Sequence, residues 1–217
     1  MNKSRIAISA LCLAFLALGL AIVAFVRANQ NPVAELMNDS LAIMEKYKDW
    51  NPFDPSKRLD KARTELTNAQ SSAARLHPLG DAGMACVDLE KLDDAREYAD
   101  KLLKLSESIY PGKGDPDAVH RGNIILGRIE LRKNNIENAK SFLLKAGRVE
   151  SSPVLGSFGP NMVLAKEMLE KNEREVVLEY FKLCEAFWTH DIRSSLKRWT
   201  DQVKAGKVPN FQGNLLY

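Results

Sequence analysis

The longest apolar pattern in the chain is an uninterrupted run at its amino terminus. Residues 6–26 carry no charge, and at 1.5 Å per residue they span about 31 Å, enough to cross the hydrocarbon core of a bilayer. Lys3 and Arg5 precede the run and Arg27 follows it, so the positive-inside rule predicts a cytoplasmic amino terminus and an extracytoplasmic, periplasmic body. A cleaved signal peptide ending near Ala28, which would leave a secreted or periplasmic protein, is the alternative. Because cleavable apolar regions usually run only about 7–15 residues, we favour an uncleaved transmembrane anchor.

Beyond the run, apolar positions recur every three or four residues, which is the period of an α-helix. One such stripe covers residues 33–47 and a second covers residues 59–76. Asp54 followed by Pro55 predicts the start of the second helix, because Asp is a good N-cap and Pro has the φ of a first helical turn. We expect the sequence HPLGD, residues 77–81, to end it. The pattern as a whole predicts an all-α fold.

Small residues then recur where two helices would need to pack closely. Gly127 falls in one predicted helix, and Ala139 and Ala146 fall in the next. Together with Leu126 and Leu143, these positions resemble the tetratricopeptide repeat (TPR), whose 34-residue pattern has Leu-Gly in helix A and small residues in helix B. The resemblance implies a helical hairpin with small residues at the contact between its two helices.

The same template matches other parts of the chain less closely. The equivalent positions in helix B are Ala62, Ala95, Ala139 and Val177, so the resemblance covers about residues 57–188. It implies a short right-handed solenoid of TPR-like hairpins. The division of the chain that follows is an anchor at 1–27, a first helix and connector at 28–55, a repeat domain at 56–206 and a tail at 207–217.

A last helix is predicted at residues 192–205, closed by Gly206. Solenoids need such a capping helix to cover their final apolar face. Phe187, Trp188 and Trp199 would provide that cover, and we prefer this packing role to an aromatic ligand pocket.

Charge and potential ligands exclude several functions. The net charge is +3, and two of the 31 basic residues but none of the 28 acidic ones precede Arg27, so the body is nearly neutral and nucleic-acid binding is not expected. The three histidines lack metal-ligand spacing, and Cys86 and Cys184 fall on positions predicted to be buried. We therefore expect no metal, no cofactor, no disulfide, no small-molecule substrate and no enzymatic activity. We also expect no deep pocket with converging His, Asp or Ser side chains.

A stripe of arginines is the candidate working surface. Arg128 and Arg132 follow Arg121 by seven and eleven residues, and at 100° per residue both return to within about 20° of its direction. In the family that the chain resembles, these three positions and Lys166 line the concave groove. Guanidinium groups suit bidentate recognition of carboxylates, so the stripe predicts a peptide-binding groove for an acidic segment of another protein. A solvated helix face is the alternative.

Together these features predict a non-enzymatic, membrane-anchored, TPR-like adaptor or scaffold for protein–protein interaction in a bacterial envelope. A structural homo-oligomer built on the stripe at 59–76 is one alternative. An enzyme with dispersed catalytic residues is another. If the arginine stripe proves to be only a solvated face, the loops at 110–118 and 150–161 are the next surfaces to consider.

Overall fold

Every regular element that the structure describes is helical. The computed structural model describes residues 54–191 and 194–215, and no strand occurs among them. The all-α fold class is therefore confirmed. Two short 3-10 helices, Ala73–Arg75 and Gln212–Leu215, accompany the α-helices of this part of the chain. These α-helices are α1 Pro55–Asn68, α2 Leu76–Asp88, α3 Leu92–Ile109, α4 Pro116–Arg132, α5 Ile136–Gly147, α6 Pro153–Phe158, α7 Val163–Glu170, α8 Arg174–Cys184 and α9 Ser195–Lys204.

The expectation of a membrane-spanning helix is wrong for the part of the chain that the structure describes. None of the helices within residues 54–191 and 194–215 is both long and apolar enough to cross a membrane. The longest, α3, has 18 residues, but charged side chains occur in every turn. The predicted anchor at 6–26 and the predicted stripe at 33–47 lie outside the described residues.

Three helices begin with the same local signal. The dipeptides Asp54-Pro55, Asp115-Pro116 and Ser152-Pro153 each place an acceptor at the N-cap and a proline at the first helical position. In all three, the side-chain oxygen of the N-cap accepts a backbone N–H of the first turn at 2.9 Å. The helix start predicted at Asp54 is confirmed, and α6 is an additional helix inside the segment that was predicted to be a loop at 150–161.

The single helix predicted over residues 59–76 is wrong. α1 ends at Asn68, and Pro78, which was expected to end a helix, is the third residue of α2. Proline is tolerated there because first-turn N–H groups have no acceptor within the helix. Leu59 and Leu76 are both buried in the chain, at 2% and 9% exposure. Leu66 is only partly buried, where it packs against the cluster around Leu76, so the stripe is divided between two helices and the homo-oligomer stays a prediction.

Three hairpins share one type of turn. α2 and α3, α4 and α5, and α7 and α8 are each joined through a residue with positive φ: Glu90 (57°), Asn134 (60°) and Asn172 (67°). In each turn this residue donates its N–H to the carbonyl oxygen three residues earlier, and the next residue donates to the carbonyl oxygen five residues earlier. This is the Schellman pattern that closes helices. Asparagine tolerates this left-handed conformation better than most residues, whereas Glu90 adopts it at some cost. Ala95, Ala139 and Val177, the positions aligned by sequence, are fully buried and each lie five residues after these turns.

The first helices of successive hairpins also contact one another. α4 packs against both α2 and α7, while α3 contacts α4 and α5 contacts α8. The close contact predicted at Gly127 is confirmed, because a Cβ there would lie 3.1 Å from the Cβ of Phe142 and would collide with Leu164. Ala139 and Ala146 on α5 have no exposed surface.

The predicted capping helix is confirmed as α9, which is followed by Gly206 at φ 76°. Trp199 on this helix lies 5.7 Å from Trp188 and 5.0 Å from Phe211, ring centroid to ring centroid. Phe187 and Phe211 are fully buried, and both tryptophans are at most 8% exposed. The aromatic side chains therefore form core, as predicted.

Both cysteines of the described residues are buried free thiols, as their positions predicted. Burial raises the pKa of the Cys86 thiol, and it raises that of Cys184 well above its usual value. A protonated, buried thiol is a poor nucleophile.

Candidate functional site

The three arginines of the predicted stripe do lie on one face of α4. Arg128 and Arg132 both donate hydrogen bonds from Nη2 to Oε1 of Glu167 on α7, at 2.8 Å and 2.9 Å. Arg121, at the other end of α4, pairs with Asp81 on α2. The shared face is therefore the one that α4 turns toward its two neighbouring first helices.

Most of this face is covered by the neighbouring helices, although a solvent-facing basic surface was expected. Arg128 is only 3% exposed, and its Nη2 also lies 2.8 Å from Oδ1 of Asp88. Arg132 donates from Nε to Glu90 at 3.0 Å. Carboxylates of the chain itself therefore occupy the positions that an acidic peptide was expected to fill.

The charges of this cluster stabilise one another. Burial alone would raise the pKa of Glu167, but hydrogen bonds and charge from Arg128 and Arg132 outweigh it and lower that pKa. Burial likewise opposes the charge of Arg128, yet Glu167 and Asp88 raise its pKa. The cluster therefore joins α2, α4 and α7 by ion pairs.

Lys166, the fourth predicted binding residue, is not part of this cluster. It lies on α7 and pairs with Glu170 one turn along the same helix, at 3.2 Å. Its side chain is 43% exposed. An exposed pair of this type contributes little to stability or to specificity.

Sequence reasoning missed the acidic partners, although a signal for them exists. Asp81 and Asp88 are seven residues apart, as are Arg121 and Arg128. Each acid pairs with an arginine 40 residues later. Acidic residues on one predicted helix that share the spacing of basic residues on another thus indicate that the two helices pack against each other.

A second candidate site lies where the segments 110–118 and 150–161 meet α2 and α4. It is a pocket of about 520 Å³, within the roughly 300–1,000 Å³ typical of ligand sites. The segments 110–118 and 150–161 both contribute to its lining. Its apolar walls include Leu76, Tyr110, Ala118, Val154, Leu155 and Phe158.

Apolar side chains at this pocket are unusually exposed. Four large hydrophobic side chains are exposed in the described part of the chain, and three of them line the pocket: Tyr110 (45%), Val154 (45%) and Phe158 (66%). The fourth, Val208 at 49%, lies elsewhere. Grouped exposed apolar side chains around a concavity are typical of a binding surface.

Ser152 connects the two loops at the pocket. Its hydroxyl donates to Oδ1 of Asp117 on α4 at 2.9 Å and accepts the N–H of Leu155 on α6 at the same distance. On the other side, the N–H of Asp115 donates to Oγ of Ser106 at 2.6 Å, which holds the 110–115 turn against α3. These bonds position α6 beside the start of α4.

Polar side chains converge on the pocket, which corrects the expectation that no such pocket exists. His77, Asp115, Asp117, His120 and Arg121 all contribute to its lining. The Oδ1 of Asp115 accepts the N–H of Ala118 and caps α4. Arg121 pairs with Asp81, as does the exposed His77, whose Nδ1 lies 3.2 Å from Oδ2.

His120 is held as a neutral ring by two backbone groups. Its Nδ1 lies 2.8 Å from the carbonyl oxygen of Ala146, and its Nε2 lies 3.0 Å from the N–H of Asn161. This geometry requires a proton on Nδ1 and a lone pair on Nε2. Burial is the main reason that the pKa of His120 falls to about 4.

Asp117 is the pocket carboxylate without a cationic partner. No basic group of the described residues lies within ion-pair distance of it, and one of its oxygens accepts the hydroxyl of Ser152 at 2.9 Å. Burial, together with the charge of Asp115, raises the pKa of Asp117 above its usual value. A half-buried carboxylate in an apolar pocket is suited to pair with a cation.

One group of side chains has ligand atoms close enough to be tested as a metal site. The group consists of Glu65, His77 and Asp81, each of which offers one ligand atom. These three atoms lie within 4.8 Å of one another. Asp81 already pairs with Arg121, and Glu65 lies 3.7 Å from Lys61. The neighbouring cations oppose a metal ion, so the cluster fits an ion-pair network better.

A larger concavity, of about 810 Å³, lies between α5 and α8. Its lining is strongly charged, and several of its charges are already paired. Lys140 contacts Glu137 and Glu173 at 2.8 Å and 2.9 Å, and Arg148 lies 3.6 Å from Glu179. The apolar pocket at 110–118 and 150–161 is therefore the stronger candidate for a binding site.

Known proteins do not suggest a role for either concavity. Comparison of the chain with protein-family models, with curated proteins and with solved structures gives no match. The function is therefore inferred from the side chains and contacts of this chain.

Proposed function

We propose that this chain is a non-enzymatic, TPR-like helical-repeat module that binds a peptide segment of another protein. Three hairpins with the same Schellman turn, at Glu90, Asn134 and Asn172, support a repeat of this type. The contacts of α4 with α2 and α7 support a solenoid in which first helices stack on first helices. Such an arrangement presents several helix ends and loops side by side for binding.

The observation that carries the proposal is the apolar pocket. Its size, and the exposure of Tyr110, Val154 and Phe158, fit a site that receives one or two side chains of a partner. Interfaces of this kind bury a central apolar anchor inside a polar rim. The predicted adaptor role is thus kept, while the proposed binding surface moves from the arginine stripe to this pocket.

The polar groups of the pocket favour binding over catalysis. A general base or nucleophile needs a free lone pair or proton that can reach a substrate. Both ring nitrogens of His120 are engaged by backbone groups, and Asp115 caps a helix. Arg121 is paired with Asp81. Most of these side chains therefore support the walls of the pocket.

A peptide selection with matched variants tests the proposal. The full chain would be used to select binders from a random-peptide library, and the affinity of the enriched peptides would be measured by fluorescence polarisation. Val154→Ser and Val208→Ser remove the same side chain at 45% and 49% exposure, but only Val154 lines the pocket. We expect Val154→Ser to weaken binding about tenfold, while Val208→Ser leaves it unchanged.

Phe158→Ser provides a second change in the same pocket. The side chain is 66% exposed, so its removal should leave the fold intact while it reduces affinity. Circular dichroism would verify that each variant is folded. Enriched peptides that bind Val154→Ser and Phe158→Ser as tightly as the unchanged chain would overturn the proposal, and so would a library that yields no binders.

A further inference from the structure

The charges that line the pocket are not balanced. Two carboxylates, Asp115 and Asp117, contribute to the lining together with one guanidinium, that of Arg121. The guanidinium is already neutralised by Asp81. The pocket therefore carries an excess of negative charge at neutral pH.

The histidines do not compensate for this excess. His120 is neutral, because it is buried and its Nε2 accepts a hydrogen bond from the N–H of Asn161. His77 is exposed at the edge and is turned toward Asp81, with 3.2 Å between Nδ1 and Oδ2. Arg121 and His77 thus both contact Asp81, which lies outside the lining.

Asp117 is placed to meet a ligand. It lies in the first turn of α4 beside the apolar walls, and Ser152 holds one of its oxygens at 2.9 Å. That hydrogen bond fixes the direction of the carboxylate without neutralising it. A desolvated carboxylate gains strongly from a cation that arrives with the partner.

From this geometry we infer that the pocket selects a basic-apolar peptide segment, in which an apolar side chain lies next to Lys or Arg and Asp117 pairs with the cation. The inference rests on the proposed peptide-binding function and adds its specificity. The apolar side chain packs among Val154, Leu155 and Phe158. The exposed ring of Tyr110 adds a favourable surface for a cation.

An acidic segment is disfavoured by the same arrangement. Its carboxylate would face Asp115 and Asp117 at close range in a partly desolvated site, where repulsion between like charges is strong. Arg121 could bind it only by releasing Asp81. The preferred charge of the partner is thus opposite to the one that the arginine stripe predicted.

The test compares two aspartates at equivalent helix positions. Asp117 and Asp93 are each the second residue of a helix, α4 and α3, but only Asp117 lines the pocket. Asp117→Asn and Asp93→Asn change the net charge equally and remove the same interaction with a helix N-terminus. The probes are library-enriched peptides and analogues in which the basic residue is replaced by norleucine or by Glu.

We expect enriched peptides to carry Lys or Arg beside an apolar residue. Asp117→Asn should weaken the basic peptide about tenfold or more and leave the norleucine analogue unchanged, because only the first forms the charged hydrogen bond. Asp93→Asn should affect neither. Added salt should weaken the basic peptide on the unchanged chain and have less effect on Asp117→Asn.

Two results would overturn the inference while the proposed function stands. One is a basic peptide and its norleucine analogue that bind equally well and lose affinity equally with Val154→Ser. The other is the enrichment of acidic peptides that depend on Val154. Peptide binding that is independent of Val154 and Phe158 would instead overturn both the function and its specificity.

Discussion

Arg128 of α4 forms a buried two-pronged ion pair with Glu167 of α7. Its Nε and Nη2 lie 3.1 Å and 2.8 Å from Oε1 of the carboxylate. The two side chains are only 4% and 15% exposed. Loss of either partner would leave a buried charge unpaired and would lower the free energy of unfolding. The pair is therefore a specific link between two helices that are far apart in sequence.

Removal of the carboxylate should therefore destabilise the fold strongly. Glu167→Gln leaves the buried charge of Arg128 with Asp88 as its remaining carboxylate, and it also removes a negative charge that pairs with Arg132. We expect the free energy of unfolding to fall by about 3 kcal/mol, as measured by urea denaturation.

The neighbouring residue provides the control. Lys166→Gln breaks an exposed pair with Glu170 and should cost less than about 1 kcal/mol. A similar small loss in both variants would contradict the interpretation of the cluster as a structural link. It would also reopen the possibility that these arginines serve a partner.

The contact between α4 and α5 predicts a second difference in stability. Ala139 has no exposed surface, and its carbonyl oxygen would lie 3.4 Å from a Cβ at Gly127. Ala139→Leu should overpack this contact and lower the free energy of unfolding by about 1–3 kcal/mol. Lys140→Leu, one residue later and in the open concavity between α5 and α8, should cost less than about 1 kcal/mol, since it removes only ion pairs that solvent reaches. Equal urea midpoints for the two variants would show that the contact tolerates a larger side chain.

His120 predicts a dependence of stability on acid. Its pKa is about 4 in the fold, below the unfolded value of 6.5, so the unfolded chain binds the extra proton first. As pH falls from about 6.5 to about 4, the fold should lose about 3 kcal/mol through this residue. The measurement is the urea midpoint as a function of pH.

His120→Asn should flatten that part of the pH profile, because asparagine does not titrate. His190→Asn removes a histidine at the surface and should retain the original profile. An unchanged profile in His120→Asn would mean that other groups cause the acid sensitivity.

Replacement of Asp117 by Asn should leave the fold intact, because the amide oxygen can still accept the hydroxyl of Ser152. Burial raises its pKa, so its contribution to stability is full below the unfolded pKa and is lost as pH rises through the folded pKa. At neutral pH, Asp117→Asn should therefore be as stable as the unchanged chain or more stable. Asp93→Asn, which relieves no such burial, should lose about 0.5 kcal/mol through the helix N-terminus.

Thermal and urea denaturation of both variants provide the check. A stability loss in Asp117→Asn larger than that in Asp93→Asn would indicate that the carboxylate supports the packing of α4. A residue that costs stability but improves binding is a frequent feature of functional sites.

The sequence alone determined the features that depend on neighbouring residues. Helical period predicted the all-α class, Asp54-Pro55 predicted a helix start, and Gly127 with Ala139 predicted a close helix contact. Each of these rests on backbone geometry or side-chain size within a few turns of helix. Local interactions of this kind are the same in any fold that contains the segment, so sequence reasoning can identify them.

Tertiary structure decided the features that depend on distant residues. Pro78 was expected to end a helix but lies in the first turn of α2, where the loss of an N–H costs nothing. The arginine stripe is a second case: its common face was predicted, whereas its acidic partners were missed because only the packing of α2 on α4 brings them together. Asp81 and Asp88 meet Arg121 and Arg128 because α2 stacks on α4 with an offset of 40 residues. That offset follows from the packing of whole helices, and helix packing also brings Asp117 of α4 and Val154 of α6 to one pocket.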